Sequence, residues 1–387
     1  MSEHQYYEFA AVDRPLTTAE MAALRAMSTR AAITPSGFVN HYHWGDLNAD
    51  PADWMRRYFD AFVYTANWGS CRLALRVPRS IFDATELEAF ATQGAFSVEA
   101  GDGHWIFGWS FDDESEARDR FETDDGSGWM GRLLPLRDEL LRGDLRPLYL
   151  GWLAGAGAGE VPDDGLEPDV PPGLRQLSAA QQALATFLAV DADLLAAAAA
   201  GSAPLIQTPT DAEGTRRLDD WLDGWPREEL TALVGLMLRG REHEAQRHVR
   251  SRHAAWLKQQ QPAMASAARR SFSELCVQAL AAARLRLEHE AEGRTRQQAQ
   301  QRRQREAFLA QVLADADRHW RTIEEQAERG VALGYDAAVR GLADLAEAHA
   351  LAARSEAFQR ALQRFLERHG KRKTLMTRLA KAGLAQP

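Results

Sequence analysis

Cysteine is scarce in this chain of 387 residues, which contains only Cys71 and Cys276. Two thiols so far apart in the sequence provide no disulfide framework, and they are too few for a zinc cluster built from cysteines within one chain. So few cysteines are typical of a protein in a reducing compartment.

Long apolar runs are also missing. The longest candidate, residues 194–200, is short and rich in alanine, whereas a helix that spans a bilayer needs about 20 consecutive apolar residues. The start, MSEHQYYEF, has no basic segment followed by an apolar one, which is the pattern of a secretory signal. We therefore expect a cytoplasmic protein without membrane association.

The charge is unevenly distributed. Residues 1–200 hold 15 basic and 31 acidic side chains, a net charge of −16, while residues 251–387 hold 24 basic and 15 acidic ones, a net charge of +9. This polarity predicts surfaces with different partners at the two ends of the chain. The length alone favours two or three domains.

The first part of the sequence alternates strand-like and helix-like patterns. Residues 72–77 alternate apolar and polar side chains, as half-buried strands do, and HWIFGWSF at 104–111 predicts another strand. A threonine in DRPLTTAEMAALRAM, with Glu20 after it, is a candidate N-cap before a helical pattern. PADWMRRYFDAF at 51–62 predicts a second helix with an apolar face. Together these patterns predict an α+β domain.

Helical patterns replace strands from residue 129 onward. The predicted fold class is an α+β N-terminal domain followed by a mainly α-helical C-terminal region with long helices. The helix after Trp225-Pro226 has a predicted apolar face formed by Leu230, Leu233, Val234, Met237 and Leu238. The predicted segments are an α+β domain at 1–128, connecting helices at 129–154, a Gly/Pro-rich linker at 155–173, a helical domain at 174–260, and a long-helix or helical-hairpin region at 261–387.

The last region holds the most regular periodicity. Apolar residues from Leu309 to Ala327 follow a heptad spacing, which favours a coiled coil. Just before them, residues 288–307 contain no large apolar side chain. A helix that is polar all round either crosses solvent or is unstable, so the segment is either part of one long helix or a junction of two helices near Gly293.

Two histidines provide the first candidate site. In FVNHYHWGDLNADP, strand geometry places His41 and His43 on one face, where they could bind a metal ion if Asp46, Asp50 or another domain supplied a carboxylate; Asp46 is the candidate third ligand. The alternative is a plain strand that ends in a Trp-Gly turn. No motif predicts a cofactor, and no residue is assigned a catalytic role.

Basic side chains near the C-terminus provide the second candidate site. The segment 294–305 is rich in arginine and glutamine, and basic helices can follow a phosphate backbone. Acidic residues flank this segment, so a solvated face or a surface for a partner protein is the alternative. The predicted interaction residues are Arg294, Arg296, Arg302, Arg303, Arg305, Trp320, Lys371, Arg372 and Lys373.

Two N-terminal stretches carry a resemblance. The blocks AAITPSGFVNHYHWGD and YTANWGSCRLALRVP resemble the amino-terminal region of a family of uncharacterised bacterial proteins with similar ITP, WGD and NWG blocks. The resemblance covers about the first 80 residues and implies a bacterial intracellular protein. It implies no activity and no functional residues.

These observations predict a non-enzymatic interaction protein, an adaptor or a subunit of a complex, whose helical C-terminal surfaces bind a partner protein or self-associate. An accessory nucleic-acid-binding protein that uses the arginine-rich C-terminal helices is the alternative. A metal-dependent enzyme centred on His41 and His43 is the third hypothesis.

Overall fold

A computed structural model of the chain forms two compact units, Met1–Arg284 and Leu285–Pro387. It describes residues 4–43, 45–112, 126–205, 218–241, 244–246, 248–249, 252–253, 256 and 269–385.

A seven-stranded antiparallel sheet organises the first unit, with the strand order β2-β3-β1-β4-β5-β7-β6. Strand β1 pairs with β3 on one side and β4 on the other, so that Tyr6 lies opposite both His41 and Thr65. The strands are β1 Gln5–Ala10, β2 Ala32–Thr34, β3 Gly37–Tyr42, β4 Ala61–Ala66, β5 Cys71–Pro78, β6 Phe96–Ala100 and β7 His104–Phe111.

Helices cover both faces of this sheet. An aromatic core that includes Phe9, Phe38 and Trp54 lies under α1 and α2, and a larger core, which includes Leu73 and Leu148, joins the other face to α4 through α8. The helices are α1 Thr18–Met27, α2 Pro51–Arg57, α3 Ala84–Glu88, α4 Trp129–Leu133, α5 Pro135–Leu141, α6 Arg146–Gly157, α7 Ala179–Phe187 and α8 Ala192–Gly201.

The predicted start of α1 is confirmed, because the Thr17 hydroxyl accepts from the backbone N–H of Glu20 and the Glu20 carboxylate accepts from the backbone N–H of Thr17. The second predicted helix is shorter than expected. It ends at Arg57, and Phe62 lies in β4. Buried Asp60 separates the two elements and accepts hydrogen bonds from the backbone N–H groups of Val12 and Asp13.

The remaining described helices are α9 Arg227–Leu238, α10 Phe272–Ala314, α11 Ala316–Glu328, α12 Ala332–Leu351, α13 Ser355–His369 and α14 Lys373–Lys381. The polar stretch around Gly293 is continuous within α10, so the alternative of two helices that meet there is wrong. An α+β N-terminal part followed by a helical region with a long helix is the fold that the sequence predicts, and the structure confirms it.

The heptad residues contribute to the core of the second unit. Helix α10 ends at Ala314 and α11 begins at Ala316, so the heptad crosses a break between two helices. Leu309 and Ile323 pack with Leu342 of α12 and Phe358 of α13. A coiled coil with another chain stays a prediction.

Residues in the predicted linker make specific contacts. The first three of them complete α6. Glu167 is buried, and its carboxylate accepts a hydrogen bond from the Tyr149 hydroxyl and pairs with Arg270. The predicted division of the chain into five segments stays a prediction. In the part of the chain that the structure describes, no helix is both long enough and apolar enough to cross a bilayer.

Candidate interaction surfaces

Helix α9 belongs to a small core of its own. Leu233 of this helix is buried against Trp221 and Trp225, whose ring centroids are 4.9 Å apart. The Arg252 guanidinium lies 4.9 Å from the centroid of the Trp225 ring and pairs with Glu229 on α9 at 2.5 Å. These contacts fix which side of α9 faces inward.

An adjacent side of α9, centred about 90° around the helix from Leu233, presents large apolar side chains to solvent. Their spacing of four, three and one residues places them within an arc of about 100° on a helix. We call these four residues the α9 face; their exposed fractions are 38% for Leu230, 54% for Val234, 58% for Met237 and 84% for Leu238. The expected apolar face therefore exists, but only Leu233 of the five predicted residues is buried.

Exposed apolar side chains concentrate around this helix. Of the 18 large hydrophobic residues that are exposed in the described chain, six lie between Leu218 and Leu238. Single exposed apolar side chains are normal on a protein surface, whereas clusters of them mark sites of interaction. The α9 face is thus the strongest candidate for a protein-binding surface in the first unit.

The predicted histidine pair, His41 and His43, lies at the end of β3, and a third histidine, His4, lies next to it. The His4 ring lies 5.6 Å from that of His41 and 5.2 Å from that of His43. Tyr6, opposite His41 in the sheet, places its ring 4.9 Å from the His41 ring. The structure therefore gathers three imidazoles and a phenol on one face.

Asp46 lies on the other face of the sheet. Its carboxylate accepts hydrogen bonds from the Tyr7 hydroxyl and from the Leu47 backbone N–H, and neighbouring residues of a strand, such as Tyr6 and Tyr7, point to opposite faces. The structure does not bring Asp46 together with the histidines. Among the residues described, no group of three or more His, Cys, Asp or Glu side chains is placed to hold a metal ion.

Buried tyrosines surround the carboxylate of Asp46. The Tyr64 hydroxyl donates to the Gln5 side-chain oxygen at 2.8 Å, and the Tyr7 hydroxyl, whose proton is directed to Asp46, lies 3.2 Å from the same oxygen. Burial raises the pKa of Tyr7, and the hydrogen bond to Asp46 raises it further. Burial also raises the pKa of Tyr64. Both hydroxyls therefore stay protonated at neutral pH and serve as hydrogen-bond donors.

Four of the five predicted arginines on α10 are paired with carboxylates. Arg294, Arg296 and Arg302 pair with glutamates four residues away on the same helix. Arg305 pairs with Asp344 and Glu347 of α12. Such pairs stabilise a polar helix and reduce the positive charge that these arginines present.

The other predicted interaction residues differ in their surroundings. Trp320 packs inside the second unit, with its ring 5.9 Å from that of Phe358. Arg372 donates to the Tyr335 hydroxyl at 3.4 Å. Lys371 and Lys373 are exposed, so the structure leaves these two lysines accessible to a partner.

A pocket of about 560 Å³ opens between the β6–β7 end of the sheet and the ends of α6, α7 and α8. Among the described lining residues Ser110 alone carries a hydroxyl, which donates to the Gly94 carbonyl at 2.5 Å. The lining consists of Gly94, Ala95, Ser110, Phe111, Asp112, Leu153, Ala154, Gly157, Ala158, Glu160, Leu188, Ala189 and Asp191.

The described lining of this pocket is acidic: among the residues that the structure describes, three carboxylates and no basic side chain line it. Burial disfavours the charged form of Glu160, but hydrogen bonds from the backbone N–H groups of Gly94 and Ala95 outweigh burial and lower the pKa of Glu160. Asp191 caps α8 by accepting from two backbone N–H groups. These two carboxylates have structural roles.

Sequence patterns missed two of these features. His4 is 37 residues from His41, and only the pairing of β1 with β3 brings them together. The exposure of the α9 face has a weak signal in the sequence, since Leu238 directly precedes Arg239-Gly240, where the helix ends.

Comparison with protein-family models, with curated proteins and with solved structures found no match to this chain. The resemblance to the bacterial family with ITP, WGD and NWG blocks stays a prediction, and any functional conclusion rests on the geometry of the chain itself.

Proposed function

We propose that this chain is a cytoplasmic, non-enzymatic interaction protein, an adaptor or a subunit of a complex, whose α9 face binds an amphipathic helix of a partner protein. The observation that carries the proposal is the solvent exposure of four large apolar side chains on one side of a single helix. Covering them would remove apolar surface from water, which is the main favourable term in protein association.

The shape and the charge of the α9 face favour a helical partner. Rows of side chains spaced three and four residues apart are the ridges that pack into the grooves of another helix. Met237 is flexible and adapts to different partner surfaces. Arg227 lies on the same side as Leu230, one turn earlier, and is exposed. A carboxylate on the partner helix would complement this arginine.

Site-specific cross-linking tests the proposal. A photoreactive benzophenone residue replaces Val234 in one sample and Ala232, on the other side of α9, in a second one. After irradiation in the native host, we expect one partner protein to be cross-linked at position 234 and not at position 232. Cross-links only to another copy of the chain, or none at all, would contradict the proposal.

Binding to the purified partner provides the quantitative test. Leu238→Asp should weaken the complex at least about tenfold, because it places a carboxylate in an apolar contact. Leu333→Asp is the matched control, since Leu333 is 81% exposed on α12 and Leu238 is 84% exposed. Equal affinities of the two variants would show that the α9 face does not bind the partner.

A further inference from the structure

The last helical pair of the second unit is the most one-sided in charge. Residues 354–381 hold nine basic side chains and only two acidic ones, Glu356 and Glu367. By contrast, residues 284–306 of α10 hold seven arginines and four glutamates. The positive charge of the C-terminal region is therefore concentrated in α13 and α14.

Neighbouring helices neutralise only part of this charge. Arg368 pairs with Glu324 of α11, and Arg378 pairs with Asp336 of α12 at 2.5 Å. After these pairs are formed, six exposed basic side chains have no carboxylate partner among the residues that the structure describes: Arg354, Arg360, Arg364, Lys371, Lys373 and Lys381.

The arrangement of these side chains follows from the packing of α13. Phe358, Leu362 and Phe365 bury one side of this helix in the core of the second unit. Arg360 and Arg364 lie on the opposite side, one turn apart, which corresponds to a rise of about 6 Å along the helix. Both arginines therefore point to solvent in a row along the helix axis.

We propose that Arg360, Arg364, Lys371 and Lys373 form a face that binds the phosphate backbone of a nucleic-acid duplex without reading its base sequence. Phosphates repeat along each strand, so the row of two arginines on α13 and the two lysines that follow this helix can neutralise several of them at once. Base recognition would require side chains that reach the base edges in a groove. The proposal does not depend on the α9 face.

The burial of the apolar side of α13 argues against a membrane as the partner of this basic face. A helix that lies on a membrane inserts an apolar side into the lipid, whereas the apolar side of α13 is buried within the protein. An acidic protein remains as the competing occupant. It offers negative charges without the regular repeat of a phosphate backbone.

The proposal predicts a steep dependence on salt. If each of the four side chains contacts one phosphate, the slope of log K against log salt concentration is about −3.6. Affinity should then fall by about 150-fold between 50 and 200 mM salt. Replacement of both Arg360 and Arg364 by glutamine should reduce the magnitude of the slope by about 1.8.

Fluorescence anisotropy with labelled DNA and RNA duplexes of about 20 base pairs and mixed sequence tests this prediction, with the full chain as the protein. The matched control is the double variant Arg294→Gln/Arg296→Gln, whose arginines are exposed on α10 but paired with glutamates. We expect it to bind like the wild type, while Arg360→Gln/Arg364→Gln binds weakly. Circular dichroism should show the same helix content in all three proteins.

Several outcomes would overturn the proposal. These are no binding to either duplex at 50 mM salt, a slope near zero, and equal losses in the two double variants. Tighter binding to polyglutamate than to the duplexes would identify an acidic protein as the occupant instead, and tighter binding to anionic lipid vesicles would identify a membrane.

Discussion

Removal of the Arg137 side chain should severely destabilise the first unit. Arg137 of α5 donates from Nη2 to both carboxylate oxygens of Asp13, at 2.9 Å each, and from Nε to the carbonyl oxygen of Arg76 at 2.8 Å. The side chains of Arg137 and Asp13 are only 3% and 8% exposed. The variant Arg137→Ala would leave a buried carboxylate without this cation.

The expected loss is about 3 to 5 kcal/mol, because breaking a buried ion pair leaves an uncompensated charge in a medium of low polarity. Such a loss is a large part of the 5 to 15 kcal/mol by which a typical domain is stable. With a denaturant slope of about 3 to 4 kcal/mol per molar urea, the unfolding midpoint should fall by about 1 M.

Tryptophan fluorescence during urea unfolding measures this change selectively. Ten of the 11 tryptophans lie in Met1–Arg284, and only Trp320 lies in the second unit. Arg142→Ala is the control, since Arg142 directly follows α5 and is exposed, and it should change stability by less than about 0.5 kcal/mol.

Two comparisons test whether the buried Arg137–Asp13 pair stabilises the first unit. If Arg137→Ala unfolds at the same urea concentration as Arg142→Ala, the buried pair does not contribute as described. The combined variant Asp13→Leu/Arg137→Met should recover most of the loss, because well-packed apolar side chains often replace a buried ion pair without a net cost.

Two further predictions concern the cores. Burial lowers the pKa of His369 below its ordinary value of 6.5. The unfolded state therefore takes up a proton more readily, and the second unit loses stability as the pH falls below about 6.5. The thermal midpoint of His369→Phe, followed by circular dichroism between pH 7.5 and 5, should depend less on pH than that of the wild type. Gly151→Ala should cost about 1 to 3 kcal/mol in urea unfolding, because the added Cβ would lie 2.8 Å from Trp109. Gly131→Ala, where a Cβ meets nothing within 4 Å, should leave stability unchanged or raise it by up to about 1 kcal/mol; equal effects of the two alanines would contradict the packing argument.

Local patterns predicted the elements whose signal lies within a few residues. The alternation in Arg72–Val77 became β5, with its apolar residues buried on one face. Strand β4 has no such signal, because all six of its residues are buried and an evenly buried strand does not alternate. The first two residues of β4, Ala61 and Phe62, fall in the helix that the apolar spacing of 51–62 predicts.

Periodicity shows which side chains share a face, but it does not show what that face contacts. Leu233 and Val234 both belong to the predicted apolar face of α9, yet Leu233 is buried against the tryptophans and Val234 is exposed. The inward direction of α9 is set by Trp221 and by Arg252, which are not part of the helix. Such contacts depend on the fold and not on local spacing.

Contacts between helices also determine which basic residues are available to a partner. The sequence alone does not show whether Arg305 or Arg364 is the better candidate to bind an anion. In the structure, Arg305 is held by Asp344 and Glu347, about 40 positions later in the chain, whereas Arg364 meets no carboxylate among the described residues. A paired arginine must break its existing contacts before it binds a phosphate, which cancels part of the gain. The density of arginines favours α10, whereas the pairing of charges across helices leaves Arg360 and Arg364 of α13 exposed and without a carboxylate partner among the described residues.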